Sequence, residues 1–236
     1  MKLFCFPYAG GSATVFHKWN KYLGDTANLF LIELAGRGTM TGGLLYNNFE
    51  QMIEEVLERI QPQLLNDRYA FYGHSMGARL SFELAHRIRE SGIKEPEYLF
   101  LSGCGAPNFK RDKIPYHQLS EENFKRELAE LGGIPAEVLS NPELFNYYAP
   151  IIRSDLKNLE TFAARSTYVP LDMAFILMHG DRDKIPLSAV ESWRDYTHGS
   201  CQLNVFSGGH FFINDYTERL TGLIKSVLSG NQKTFT

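Results

Sequence analysis

The sequence predicts an α/β protein with a mostly parallel central sheet covered on both faces by helices. Two observations carry this: short apolar runs suited to buried strands, and amphipathic helical segments alternating with them. The runs are Leu3 to Phe6, Leu29 to Leu34, Tyr69 to Tyr72, Tyr98 to Leu101, Met173 to Met178 and Leu203 to Phe206. Strands separated by helical crossovers pair in parallel, so about six parallel strands are expected. After Asn48, residues Phe49, Met52, Ile53, Val56, Leu57 and Ile60 follow helical spacing, and Asn48 with Gln51 resembles a capping box. After Ser75, Leu80, Leu84 and Ile88 share one face, and Gly92 offers a left-handed stop.

The alternation breaks between about 107 and 168, where Glu121 to Leu131 and Pro142 to Ala164 read as helices with no strand among them. Strand signals resume at Met173, so the segment is expected to be a helical cap inserted into one domain spanning 1–236. The final residues, GNQKTFT, read as a frayed tail.

Composition narrows the function. The chain has 236 residues, 44% of them hydrophobic, enough for a sizeable core. A formal charge of -3 and the lack of a long basic stretch argue against nucleic acid and anionic membrane surfaces. The amino terminus makes a poor signal peptide, since Pro7, Gly10 and Gly11 interrupt its apolar stretch, and no apolar segment is long enough to span a bilayer. Three widely spaced cysteines, Cys5, Cys104 and Cys201, suggest neither a disulfide framework nor a thiolate metal cluster. A cytoplasmic monomer is expected.

Residues 69–77 read YAFYGHSMG, an apolar strand followed at once by G-x-S-x-G and a helix. A serine on such a sharp turn has strained backbone angles, and Gly73 and Gly77 let neighbouring chain pass without side-chain clashes. Ser75 is therefore the candidate nucleophile. The Met76 N–H, at the helix start, is a candidate oxyanion donor. Adjacent residues on the turn point apart, so His74 reads as a packing residue rather than the base.

Serine needs an imidazole to take its proton, and the imidazole needs a carboxylate to hold it; in this fold type, the α/β-hydrolases, they follow in the order serine, acid, histidine. Of seven histidines, only His210, in SGGHFF, lies on a loop beyond the last expected strand. His179 precedes the candidate acids, His198 falls at a helix end, and His17, His86 and His117 lack the context. Two carboxylates in FILMHGDRDKIP compete, Asp181 and Asp183. Asp183 is favoured because three residues past Gly180 leave a tight turn to aim its side chain back; Asp181 reads as a solvated turn residue. The loop from Phe6 to Ser12, with Gly10 and Gly11, is expected to supply the second oxyanion donor from the N–H of Ala9.

Several strings together resemble one family. FPYAGGSA, ELAGRG, GHSMGARLSFELA, LSGCGAP, LGGIPAEVL, IIRSDLKNLETF, HGDRDKI and GGHFFI are similar to the type II, stand-alone thioesterases of nonribosomal peptide and polyketide synthesis. The similarity spans nearly the whole chain, with Ala35 standing where the family commonly has proline. It implies hydrolysis of aberrant or stalled acyl groups from the phosphopantetheine arm of carrier proteins, with Ser75, Asp183 and His210 as triad and no metal or organic cofactor. A small-ester carboxylesterase and a non-catalytic binding protein of the same fold are the rival readings. The cap is expected to provide the acyl pocket and the carrier contact. Phe109, Phe124, Phe145, Tyr147, Tyr148 and Phe162 serve either purpose or the cap's own packing, and Lys110, Arg111 and Lys113 form a candidate docking patch.

Overall fold

The computed structural model describes residues 1–65, 67–109 and 114–230. Six strands form one sheet in the order β2-β1-β3-β4-β5-β6, every neighbouring pair parallel. They are β1 (Lys2–Phe6), β2 (Asn28–Leu31), β3 (Tyr69–His74), β4 (Tyr98–Ser102), β5 (Ala174–Gly180) and β6 (Cys201–Phe206). All six expected runs are strands. The second is shorter than expected because the chain leaves this edge after Ile32, whose N–H still reaches the Cys5 carbonyl at 3.0 Å. The fifth runs two residues further, taking in His179 and Gly180.

Side chains alternate across the pleat, and the two faces collect separate cores. Phe4, Phe6 and Phe71 join α2 (Phe49–Leu64) and α3 (Met76–Glu90) on one side. Leu3, Cys5, Tyr72 and Phe100 join Phe16, Trp19 and α8 (Thr217–Leu228) on the other. Asn48 caps α2 as its sequence suggests, its Oδ1 accepting the Gln51 N–H at 2.8 Å. A short helix α1 (Asn20–Leu23) completes the second face.

Between β4 and β5 lie α4 (Glu121–Leu131), α5 (Ala136–Ser140) and α6 (Pro142–Thr161), with no strand among the described residues. The short α5, after Pro135, is an element that periodicity did not show. Phe124, Leu128, Phe145, Ile152 and Leu156 form a small core within the insertion. Glu160 on α6 accepts the backbone N–H groups of Tyr116 and His117 at 2.7 and 3.1 Å, and Arg153 donates to the carbonyls of His117 and Leu119. Helix α7 (Leu187–Glu191) follows β5.

This strand order places the site. The connection after β1 runs to one side of the sheet and later connections run to the other, so a crevice opens beyond the carboxyl ends of β1 and β3. The loop 7–12 leaves β1 there, and Ser75 leaves β3 there.

Candidate active site

Ser75 has φ 55° and ψ -116°, and it is the one non-glycine residue with positive φ among those described. Such a conformation costs about 1–3 kcal/mol and persists only where surroundings enforce it. They do: the Ser75 N–H donates to the Ser102 carbonyl of β4 at 2.7 Å, and α3 begins at the next residue. A methyl group at Gly73 would overlap the Gly77 carbonyl, and one at Gly77 would overlap the Phe6 carbonyl. The two glycines thus let α3 start against β1 and β3.

At the end of β5 the turn closes by a hydrogen bond from Asp183 N–H to the Gly180 carbonyl at 3.0 Å. It returns the Asp183 side chain to the crevice, where Oδ2 meets His210 Nδ1 at 2.8 Å and Oδ1 accepts the Ile185 N–H at 3.1 Å. Burial favours the neutral acid, but the His210 hydrogen bond and charge, the Ile185 N–H and nearby His179 outweigh it and hold the carboxyl below its usual value. Asp183 is therefore ionised and oriented, the condition under which it fixes the imidazole tautomer.

Asp181 departs from expectation. Its side chain is half-exposed, but Oδ1 accepts the Gly208 N–H at 2.8 Å, and the neighbouring Arg182 N–H donates to the Gly208 carbonyl at 2.8 Å. It staples the start of the histidine loop to the acid loop, so solvated turn residue describes only half of its role.

His74 packs beneath the site. It is fully buried, its Nδ1 lies 2.9 Å from Ser102 Oγ, and its ring sits 5.1 Å from that of His210. Burial, with the adjacent His210, depresses its pKa well below the ordinary imidazole value. A neutral His74 supports the His210 ring without adding charge.

The loop after β1 keeps its shape through its own bonds. Gly11 N–H donates to the Tyr8 carbonyl at 2.8 Å, and Gly10 N–H donates to Asp155 Oδ2 on α6 at 2.8 Å. The N–H groups of Ala9 and Met76 donate to no protein acceptor among the described residues. Both are available as candidate oxyanion donors.

Ser75, Asp183 and His210 line one cavity of about 1240 Å³. The insertion walls it with Leu156, Leu159 and Phe162, and the β4 loop adds Cys104 and Phe109. The expected cap aromatics divide. Phe124 and Phe145 fill the insertion's core, Phe109 and Phe162 face the cavity, and Tyr147 and Tyr148 are exposed against one another. Lys110, Arg111 and Lys113 fall outside the described residues.

Two clusters went unread in the sequence. Arg79, one helical turn after Ser75, lines the cavity and donates through Nε to the buried Glu83 at 2.9 Å, while Tyr168 donates to Glu83 at 2.5 Å. Arg37 and Asp155 form a buried bidentate pair between the ELAGRG loop and α6. The available signal was Asp155 itself, a carboxylate among Ile151, Ile152, Leu156 and Leu159 on the apolar side of a helix.

A parallel sheet with a strained serine at its switch point, followed by an acid after β5 and a histidine after β6, defines the α/β-hydrolase fold class. Within that class, the thioesterase domain family model matches residues 1–228, so the chain belongs to the thioesterase family, hydrolases acting on thioesters. The gramicidin S biosynthesis protein GrsT of Aneurinibacillus migulanus is 35% identical over 90% of this chain and 83% of its own. Thioesterase PikA5 of Streptomyces venezuelae is 34% identical over 91% and 76%. The crystal structure of ClbQ from the colibactin NRPS/PKS pathway superposes with a TM-score of 0.92, at 30% identity, covering 98% of each chain. The resemblance to type II thioesterases read from the motifs is thus shared by sequence and structure.

Proposed function

We propose that this enzyme hydrolyses aberrant or stalled acyl and aminoacyl thioesters from the phosphopantetheine arm of carrier proteins in a nonribosomal peptide or polyketide synthase. The observation that carries the reading is the Asp183–His210 pair at 2.8 Å opening into the same cavity as the strained Ser75. Its relatives' pathways supply the substrate class: GrsT is named for gramicidin S biosynthesis and ClbQ for the colibactin pathway.

In the proposed reaction Ser75 Oγ attacks the thioester carbonyl while His210 Nε2 takes its proton. Asp183, bonded to Nδ1, stabilises the imidazolium. The Ala9 and Met76 N–H groups bind the oxyanion, and the pantetheine sulfur leaves with the proton returned by His210. Water then enters, gives its proton to His210 and attacks the acyl-enzyme, releasing the carboxylic acid and restoring Ser75. The steps use no metal or organic cofactor. The insertion serves as lid and acyl pocket, and the carrier protein docks at its rim.

The test is hydrolysis of acyl-carrier thioesters beside nitrophenyl esters. The thioester is expected to be the better substrate by kcat/KM, with Ser75→Ala removing nearly all turnover while the protein stays folded. Preference for the oxygen ester would favour a small-ester esterase. Failure of wild-type Ser75 to react with a fluorophosphonate would favour a binding role.

A further inference from the structure

A buried ion pair is weak evidence of stability, because desolvating two charges offsets their attraction. Arg37 and Asp155, 4% and 1% exposed, call for another explanation. Arg37 Nη2 donates to Asp155 Oδ1 at 2.8 Å and Nη1 donates to Oδ2. Nη1 also reaches the Gly11 carbonyl, and Nε and Nη2 reach that of Ala35, each at 3.4 Å. Thus fixed, Oδ2 accepts the Gly10 N–H at 2.8 Å.

The consequence falls on Ala9. The Tyr8 carbonyl is occupied by the Gly11 N–H at 2.8 Å, and the Gly10 N–H is occupied by Asp155, so the peptide planes on both sides of Ala9 are pinned. The chain has no cis peptide among its described bonds, so the Ala9 N–H points opposite the Tyr8 carbonyl, away from the loop's own bond. The Tyr8–Gly11 bond is local to the loop. The Asp155 bond comes from α6, an element of the insertion 145 residues further along the chain.

We infer that Asp155, locked by Arg37, is a positioning residue for the oxyanion hole, and that the Ala9 donor is correctly set only while α6 is seated on the loop. Ile152 supports the same contact, its side chain lying where a Cβ on Gly10 would be. Acyl-pocket wall and oxyanion loop therefore move as one unit, coupling the insertion's position to transition-state binding. The inference rests on the thioesterase reading above.

The test compares wild type with Arg37→Met/Asp155→Leu, which replaces the charge pair by apolar side chains and removes the acceptor for Gly10. Such replacements usually preserve folding. The double variant is expected to fold, to keep KM for an acyl-carrier thioester within about twofold and to lose roughly ten- to a thousand-fold in kcat. An acyl trifluoromethyl ketone gives a second readout. Ser75 Oγ adds to its carbonyl, the proton passes to His210, and the adduct carries the oxyanion, so its inhibition constant should rise by the same factor. Asp155→Glu keeps the charges but displaces the acceptor, and should show the same split in smaller degree even if the double variant fails to fold. A folded variant with wild-type kcat and ketone affinity, or one altered in KM alone, would overturn the inference. Wild-type thioester turnover tests the function itself, and the ketone ratio can be read with any acyl substrate, so the two ideas fail separately.

Discussion

At Ser75 the backbone conformation suits glycine better than any side chain, yet the position holds the serine proposed as nucleophile. Ser75→Ala leaves the strain in place, whereas Ser75→Gly relieves it, so the glycine variant should be the more stable by about 1 kcal/mol in urea unfolding, with both inactive. A glycine variant less stable than the alanine one would show that the turn is not strained. The two aspartates after β5 separate in the same way. Asp183→Asn keeps the shape but offers His210 the wrong partner, and kcat should fall by up to ~10⁴. Asp181→Asn retains an oxygen for the Gly208 N–H and should stay within about threefold of wild type; the reverse ranking in steady-state kinetics would exchange their roles. That Ser75, Asp183 and His210 would meet at one cavity was legible because each follows the end of a strand in the same parallel sheet. The Arg37–Asp155 pair was not, because its two members lie 118 residues apart and nothing in either local string names the other as partner.

At the scale of elements, strands were legible because a sheet buried on both faces leaves continuous apolar runs, as in β3 where every residue is buried, and long helices because burial of one side imposes a period near four. Element ends were less so. Glu33 and Leu34 continue the run expected as a strand but lie beyond its end, Leu34 in the core and the Glu33 carboxylate accepting from Ser12 Oγ at 2.8 Å and Ala13 N–H at 3.1 Å. The packing of α6 over the loop after β1 was also hidden, since periodicity gives a helix its apolar side but not its neighbour. Gly10 sits where that helix meets the loop, with φ 77° and the Ile152 side chain against its α-carbon. Gly10→Ala must push α6 away or rotate the loop, and it adds a left-handed alanine. It should cost about 1–3 kcal/mol of stability and lower kcat at least tenfold. Wild-type kcat and melting temperature in that variant would mean that loop and helix adjust independently.

Taken whole, the molecule buries three histidines besides His210, namely His74, His86 and His179, whose burial favours the neutral form. Burial depresses each below 6.5. His210 adds to this for His74, Arg165 and Arg89 push His86 down to about 4, and Asp183 partly opposes the shift at His179. In the unfolded chain all three titrate near 6.5. Above that value neither state is protonated and their contribution to stability is complete. As pH falls below it the unfolded chain takes up protons that the native state refuses, so each histidine withdraws stability, His86 at about 1.4 kcal/mol per pH unit until its native pKa of about 4 is reached. Glu83 works the other way: burial, only partly offset by Arg79 and Tyr168, raises its carboxyl, so the native state takes up a proton first. Three groups resist protonation in the native state against one that favours it, so acidification below about pH 6.5 is destabilising on balance. Asp183 acts in a lower window, since its carboxyl is held below the usual value and its contribution is lost only as pH falls through that depressed pKa. Melting temperature should therefore drop sharply between about pH 6 and 5, before ordinary carboxylates titrate. His86 is the position for a test, because it lies outside the catalytic cavity, packs on Phe82 and Tyr168, and its buried Nε2 has no partner among the described residues. His86→Phe should match or exceed wild type at pH 7.5 and flatten the acid limb by about 1.4 kcal/mol per pH unit. An unchanged curve of melting temperature against pH would place the acid sensitivity elsewhere.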